Sequence, residues 1–400
     1  MRKSFLSILS GGLALCLCAC SPAAPASKRE HVSQLAGPER DPASLPSAEM
    51  KTGWYYAHLS PRDQAIYHRL WNGIQAGQND IAMNGENIDR MHHVLEILLL
   101  EQPQFFHLSV VYDYTSAEGD SNRVLAFHPH YALSQEQYAE MLGEVEEKAE
   151  EMLTEAKTWS NWDYELELEI HDQLVRNITY FTDPKVEKED RFNSFQTLYG
   201  ALVEGKANCM GYIDAMTYLM NQLDIPCIGV SAPAQNSSGV TEGHSWNMAE
   251  IEGQWYHVDV CWNDTGLESE SNPEAVMHTY FNVSDDKLAK YRDLETAQVN
   301  TTVLPEASSE AADYYQRNRL VMESPEQLQE KLSEAFPELT EGQPFEVRLG
   351  WDGTFSQRQE LIRNCLQEAA RVHAYDPEYE YTISLDEPMD TLYLEVHPLS

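Results

Sequence analysis

The sequence has few basic residues for its length. Lysine and arginine total 27 in 400 residues, against 65 aspartates and glutamates, which gives a net charge of −38. Binding to a phosphate backbone requires clustered lysine and arginine, so this balance excludes nucleic acid as a partner. The acidic surface favours a cationic or basic partner and keeps the protein soluble.

Cysteine is also scarce, at 7 residues, and the usual metal-binding motifs are missing. After the first 20 residues there is no CxxC pair, no HExxH and no close cluster of histidine and cysteine. The acidic loop at 118–120 lacks the spacing of an EF-hand. We therefore expect neither a metal ion nor a cofactor. Four scattered cysteines in the rest of the chain do not make a disulfide framework.

Long apolar runs are missing after residue 20. The run VLEILLL at 94–100 is too short to span a bilayer and is interpreted as part of a buried helix. Apolar residues nevertheless make up 42% of the chain, a value typical of globular proteins. At about 150 residues per domain, the length predicts two or three domains.

The first 20 residues have the pattern of a secretory signal peptide. Arg2 and Lys3 form a positive segment, an apolar stretch follows, and small residues precede a cysteine. The string LCAC resembles the lipobox of bacterial lipoproteins, which implies cleavage before Cys20 and a lipid on its sulfur. We expect a signal peptide at 1–19, a disordered lipid-anchored tether at 20–48, and a location on the extracytoplasmic face of the cell membrane. An ordinary signal peptide is the alternative.

The periodicity of the remaining chain predicts three regions. An N-terminal domain is expected to be mainly helical with a β-hairpin, and a small C-terminal α/β domain is expected to have the order α-β-α-β-β and an accessory role. The region between them contains the motifs described next. The predicted bounds are 49–160, 161–305 and 311–400.

One cysteine lies at the start of a predicted buried helix. Asn208 is suited to be the N-cap, and apolar residues recur at helical spacing from Ile213 to Leu223. Cys209 then lies in the first turn, where unpaired N–H groups and the helix dipole stabilise a thiolate. A buried structural thiol is the alternative for this cysteine taken alone.

Two predicted strands downstream bring a histidine and an aspartate together. The strands HSWNMAEI and QWYHVDVCW flank a two-residue turn, which pairs Asn247 with Val258. His244 and Asp259 are then diagonal neighbours on one face. A carboxylate beside an imidazole fixes its tautomer, as a general base requires. His257 shares this face and stays an alternative base.

These segments together resemble the transglutaminase-like superfamily. The resemblance covers about residues 160–290 and rests on YGALVEGKANCMGY, GHSWNMAEIEGQWYHVDVCWND and TYFNVS. The family's three motif centres fall on Cys209, His244 and Asp259. Fold class α+β is implied, with a papain-like core in which the cysteine-bearing helix packs on an antiparallel sheet. Asn208 and Cys261 depart from the usual residues of the family, which leaves the specificity of the pocket open.

The resemblance also implies acyl transfer through a thioester. Cys209 would attack a carbonyl, His244 would move the proton and Asp259 would orient the imidazole. With water as the second substrate the enzyme would be a peptidase or amidase, and with an amine it would be a transglutaminase. The expected substrates are protein or cell-wall peptide amides.

Further residues are assigned to the pocket. Trp246 and Tyr199 are expected to line it. The backbone N–H of Cys209 is a candidate oxyanion donor, with Tyr199 or Gln196 as side-chain alternatives. The rival hypotheses are a catalytically silent binding module and a structural protein of the cell envelope.

Overall fold

The computed structural model describes eight segments of the chain. The described residues are 50–183, 192–235, 240–264, 276–294, 304–340, 344–373, 379–386 and 389–398. The expected signal peptide, the tether and Cys20 lie outside them. Within these segments, no helix combines the length and the apolar character needed to cross a bilayer.

The N-terminal part consists of helices and a three-stranded antiparallel sheet of order β1-β3-β2. The predicted hairpin forms two of these strands. The third, β1, was not predicted because Asn84 and Gly85 suggest a turn, whereas they take positive φ at a bulge within the strand. The elements are α1 (Trp54–Ala57), α2 (Pro61–Gln75), β1 (Ile81–Asn87), α3 (Ile88–Glu101), β2 (Leu108–Ala117), β3 (Asp120–Tyr131) and α4 (Gln135–Trp159).

Side-chain caps explain where these helices begin. The Ser60 hydroxyl accepts the N–H of Asp63 at 3.3 Å, one residue ahead of a proline at the first helical position. Ser134 and Gln137 form a reciprocal capping box at the start of α4. Each cap satisfies an N–H group that the first helical turn leaves unpaired.

The central part places a long helix on an antiparallel sheet of order β6-β7-β8. The Asn247 side chain on β7 donates to the Thr217 hydroxyl at 2.9 Å and to the Ile213 carbonyl at 3.2 Å, both on α6. The cysteine-bearing helix on an antiparallel sheet is the α+β core that the sequence predicts. The elements are α5 (Asp163–Asn177), β4 (Thr179–Tyr180), β5 (Lys206–Ala207), α6 (Cys209–Gln222), β6 (Cys227–Gln235), β7 (Thr241–Ile251), β8 (Gln254–Val258), α7 (Val260–Asn263) and α8 (Asp285–Leu288), with a 3-10 turn at Ser194–Gln196 and a π-helical turn at Gly200–Glu204 between β4 and β5.

The register of β7 and β8 is the predicted one as far as Val258, which pairs with Asn247. The prediction that the second strand continues to Trp262 is wrong. Asp259 ends the strand and caps α7, since its Oδ1 accepts the N–H of Trp262 at 3.0 Å. An aspartate that can bond the backbone three residues ahead favours the start of a helix over a continued strand.

The C-terminal part has a four-stranded sheet of order β11-β12-β10-β9. The predicted order α-β-α-β-β is confirmed, with the short strand β9 added in parallel to β10. The elements are α9 (Tyr314–Arg317), β9 (Val321–Met322), α10 (Pro325–Thr340), β10 (Phe345–Leu349), α11 (Phe355–Val372), β11 (Tyr379–Asp386) and β12 (Thr391–Pro398).

Buried apolar side chains in the described segments form two main clusters. One extends from Tyr55 to Ala312 and also includes Met389, so it is continuous across residue 160. The other extends from Met322 to Val396 and belongs to the C-terminal part. The division of the first region into separate domains at 49–160 and 161–305 stays a prediction.

Candidate active site

Cys209 opens α6 inside the molecule. The Asn208 side chain accepts the N–H of Met210 at 3.1 Å, so the predicted N-cap is present. Cys209 is fully buried. The first-turn position places the sulfur beside the positive end of the helix dipole, which stabilises a thiolate.

Two contacts connect the first turns of α6 to β7 and to the residue that follows α7. The Ser245 hydroxyl donates to the Met210 sulfur at 3.5 Å. The Tyr212 hydroxyl donates to the carboxylate of Asp264, at the end of the α7 turn. Met210 and Ser245 directly follow Cys209 and His244. The residues next to the cysteine and to the histidine are therefore in contact.

The body of α6 covers the face of β7 that carries Ser245 and Asn247. His244 alternates with these residues and belongs to the other face of the strand. This arrangement differs from a helix laid across the histidine face.

His244 and Asp259 form the contact that the register predicts. His244 Nε2 lies 2.7 Å from Asp259 Oδ2, and both side chains are buried. Burial would raise the pKa of Asp259, but the charges of His244 and Arg292 hold it below its usual value. Nε2 is thus the ring nitrogen that faces the aspartate, and Nδ1 is on the opposite side of the ring. The catalytic roles of both residues stay predictions.

Arg292 is a member of the site that sequence analysis missed. Its Nη2 donates to Asp259 Oδ2, the same oxygen that faces His244. The guanidinium carbon lies 3.8 Å from the ring centre of Trp262 and 4.6 Å from that of Trp246. Arg292 lies 33 residues beyond Asp259 in the charged string KYRD, which has no local pattern that points to the site.

A second histidine–aspartate pair lies behind Trp246. The indole Nε1 donates to His257 Nδ1 at 3.0 Å, and His257 Nε2 lies 2.8 Å from Asp285 Oδ1. Because Nδ1 accepts, the proton is on Nε2 and is donated to Asp285. Burial lowers the pKa of His257 despite this aspartate. Both nitrogens of His257 thus have partners away from Cys209, which favours His244 as the base.

The two predicted pocket residues lie in different surroundings. The ring of Trp246 is buried and nearly parallel to that of His244, with the ring centres 6.2 Å apart. Tyr199 is half-buried, donates its hydroxyl to Glu144 at 2.8 Å and lies beside Phe106. Trp246 is therefore placed against the candidate base, whereas these contacts of Tyr199 are with α4 and the loop after α3. Their roles in a substrate pocket stay predictions.

One cluster in the described segments has the donor set of a metal site. His171 Nδ1 and His278 Nε2 lie 2.9 Å and 3.0 Å from Asp172 Oδ1. The hydrogen bonds of this cluster fit a bound metal ion poorly. The side-chain oxygen of Asn263 accepts the N–H of Tyr280. The amide nitrogen of Asn263 therefore faces His171 and donates a hydrogen bond to His171 Nε2. The proton of a neutral His171 is then on Nδ1, the atom that a metal would need.

His278 is the cationic centre of that cluster. Its Nδ1 lies 2.9 Å from Glu346 Oε2, and its ring stacks on Tyr314 with the ring centres 3.8 Å apart. Burial alone would lower the pKa of His278, but Asp172 and Glu346 raise it to about 10. Since Asp172 lies on α5 and Glu346 on β10, this ion pair joins the central and C-terminal parts.

Comparison with known proteins identifies the family of the central part. Residues 150–260, which include all three motif centres, match the family model of the transglutaminase-like superfamily. No curated protein matches the chain.

Two solved structures are similar over part of the chain. A candidate cysteine protease from Cytophaga hutchinsonii is 16% identical over 34% of this chain and 51% of its own, with a TM-score of 0.24. A TGase is 13% identical over 41% of this chain and 47% of its own, with a TM-score of 0.27. The chain thus spans about half the length of these two proteins.

Proposed function

Because residues 150–260 belong to the transglutaminase-like superfamily, we propose that this protein is a cysteine-dependent acyl-transfer enzyme. One observation carries the proposal: His244 Nε2 lies 2.7 Å from a buried Asp259 carboxylate, and the residues that follow His244 and Cys209 are in contact. A nucleophile, a base and a group that orients the base are the minimum set for covalent catalysis of this kind.

The reaction would proceed in two steps. The Cys209 thiolate attacks the carbonyl carbon of an amide, and the proton that His244 Nδ1 took from the thiol passes to the leaving amine. The carbon–nitrogen bond breaks and a thioester remains on the sulfur. Water then gives a carboxylic acid, or a primary amine gives a new amide, and the thiol is regenerated. In this proposal the backbone N–H of Cys209 binds the developing oxyanion.

The proposed substrates are protein or peptide amides outside the cytoplasm. The lipobox-like string supports anchoring by a lipid on Cys20, and the family supports a protein or peptide as the acyl donor. Metabolic labelling with a radioactive fatty acid tests the anchor. Label should enter the wild type and be lost in Cys20→Ser, while label in both proteins would contradict the anchor.

The enzyme activity is tested with a glutamine-containing peptide, with and without a fluorescent primary amine, in the presence of reductant. Release of ammonia or incorporation of the amine is expected for the wild type, and neither for Cys209→Ala. Cys365→Ala is the matched control, because Cys365 is a free thiol buried in the C-terminal part. No turnover of this peptide or of a pool of cell-wall peptides by the wild type would contradict the proposal.

A second candidate function is a silent binding module that keeps the family fold. The burial of Cys209 favours this candidate. Reactivity toward iodoacetamide after reduction separates the two. A Cys209 thiol that reacts no faster than a free cysteine, and equally in His244→Ala, would favour the binding module.

A further inference from the structure

We propose that Arg292 is a positioning residue that fixes Asp259 and sets the charge felt by the imidazole of His244. The inference deepens the proposed acyl-transfer function and rests on it. Its basis is geometric, because one carboxylate oxygen, Asp259 Oδ2, is bonded by both the guanidinium and the imidazole. The other oxygen accepts the N–H of Trp262, so the whole carboxylate is held.

The surroundings of Arg292 are poorly explained by stability alone. The residue is 3% exposed, and its Nε and Nη1 have no hydrogen-bond partner in the described segments. Donors left unpaired in a protein interior destabilise the folded state. The guanidinium is instead stacked between the rings of Trp262 and Trp246. Stacking of this kind holds the positively charged guanidinium in place without hydrogen bonds from the N–H groups at its edge.

The charge of Arg292 changes what Asp259 does to His244. A lone buried aspartate would hold an imidazolium strongly and keep its proton in place. With Arg292 on the same oxygen, the negative charge is already compensated, so the imidazolium is stabilised less. The proton can then pass more readily to a leaving amine.

Other ionisable groups lie near the pair. They are Cys209 and Asp264 beside the start of α6, His257 and Asp285 behind Trp246, and Tyr280, whose ring centre is 5.7 Å from the Arg292 guanidinium. The hydrogen bond from His257 to Asp285 is separated from His244 by the indole of Trp246.

The test is a titration of the His244 ring by NMR in reduced protein labelled with nitrogen-15 at histidine. His244→Gln identifies the resonance. In Arg292→Met the midpoint should move up by about one pH unit, a tenfold gain in proton affinity. Arg292→Lys keeps the charge and should move it by less than half as much. An unchanged midpoint in a folded Arg292→Met would overturn the proposal.

Folding is controlled by a second neutral variant and by thermal unfolding. Arg292→Gln can still donate to Asp259 and should show the same upward shift as Arg292→Met. Failure of both neutral variants to fold would assign Arg292 to stability and overturn the proposal. The titration needs no turnover, so a wild type without acyl transfer would refute the proposed function and leave the role of Arg292 to be decided by the midpoint. If turnover is present, the limb of the pH profile of kcat/KM that reports the His244 imidazole should shift by the same amount as the NMR midpoint.

Discussion

Two buried histidines in this protein have similar partners and opposite charge balances. His244 faces one carboxylate, that of Asp259, which is also bonded by Arg292. His278 lies between two carboxylates, those of Asp172 and Glu346. The difference between the two rings is the number of carboxylates that face each one, two for His278 and one for His244.

The number of carboxylates decides whether a buried imidazole keeps its proton near neutral pH. With two carboxylates, His278 has its pKa raised to about 10, so it keeps its proton near neutral pH and holds two parts of the chain together. A ring that keeps its proton cannot act as a base. A ring with one compensated carboxylate is able to take and release a proton. The same residue type therefore supports cohesion in one place and, in our proposal, catalysis in the other.

The largest expected difference between the two histidines is in activity. His244→Gln removes the proton carrier and should lower kcat/KM about a thousandfold, within the range for general acid–base groups. His278→Gln should leave kcat/KM per folded molecule unchanged. Steady-state kinetics on samples corrected for the folded fraction measures both. Equal losses in the two variants would erase the proposed distinction.

The loss of stability should be larger for His278→Gln than for His244→Gln, the reverse of the order expected for activity. His278→Gln removes the cation between Asp172 and Glu346, although Arg176 still lies 3.3 Å from Asp172 Oδ2, and should lower the free energy of unfolding by about 3 kcal/mol. His244→Gln should lower it less, because Arg292 still compensates Asp259. Urea denaturation at pH 7 gives both values. A larger loss in His244→Gln would show that the two charge balances are assigned the wrong way round.

The dependence of stability on pH sharpens the same comparison. The folded pKa of His278 is about 10, above the unfolded value of about 6.5, so the folded state binds the proton more tightly. Its contribution is complete below about pH 6.5 and is lost as the pH rises toward 10. Between pH 7 and pH 9.5 the wild type should lose more stability than His278→Gln. Parallel curves for the two proteins would refute the raised pKa.

The smallest expected loss of activity comes from a change at Trp246, whose ring lies beside that of His244. Trp246→Phe removes the indole N–H that donates to His257, and should cost about 0.5–1.5 kcal/mol of unfolding free energy. Activity should fall by less than tenfold, because the ring that faces His244 is kept. Denaturation and kinetics on the same preparation measure the two. A loss of activity as large as that of His244→Gln would place Trp246 in the chemistry.

The parts of the site with a local signal could be predicted from the sequence. The N-cap at Asn208 and the pairing of Asn247 with Val258 follow from short patterns of residue type and turn length, and the contact between His244 and Asp259 follows from that pairing. The strand end at Asp259 was missed because a side-chain cap outweighed the alternation of apolar residues.

The parts without a local signal could not be predicted. Arg292 reaches Asp259 from 33 residues away, and His278 meets Glu346 from 68 residues away. Both contacts depend on how loops and separate sheets pack. An arginine in a charged string and a histidine in a loop look like solvated residues until that packing is known.

The central claim is that Cys209 is a nucleophile activated by His244. It is tested most directly by intact-mass spectrometry of the reduced protein after brief exposure to p-nitrophenyl acetate. One acetyl group per molecule is predicted, located on Cys209 by peptide mapping, absent in Cys209→Ala and formed about a hundredfold or more slowly in His244→Gln. Acetylation that is spread over other residues, or that proceeds on Cys209 at the same rate without His244, would contradict the account.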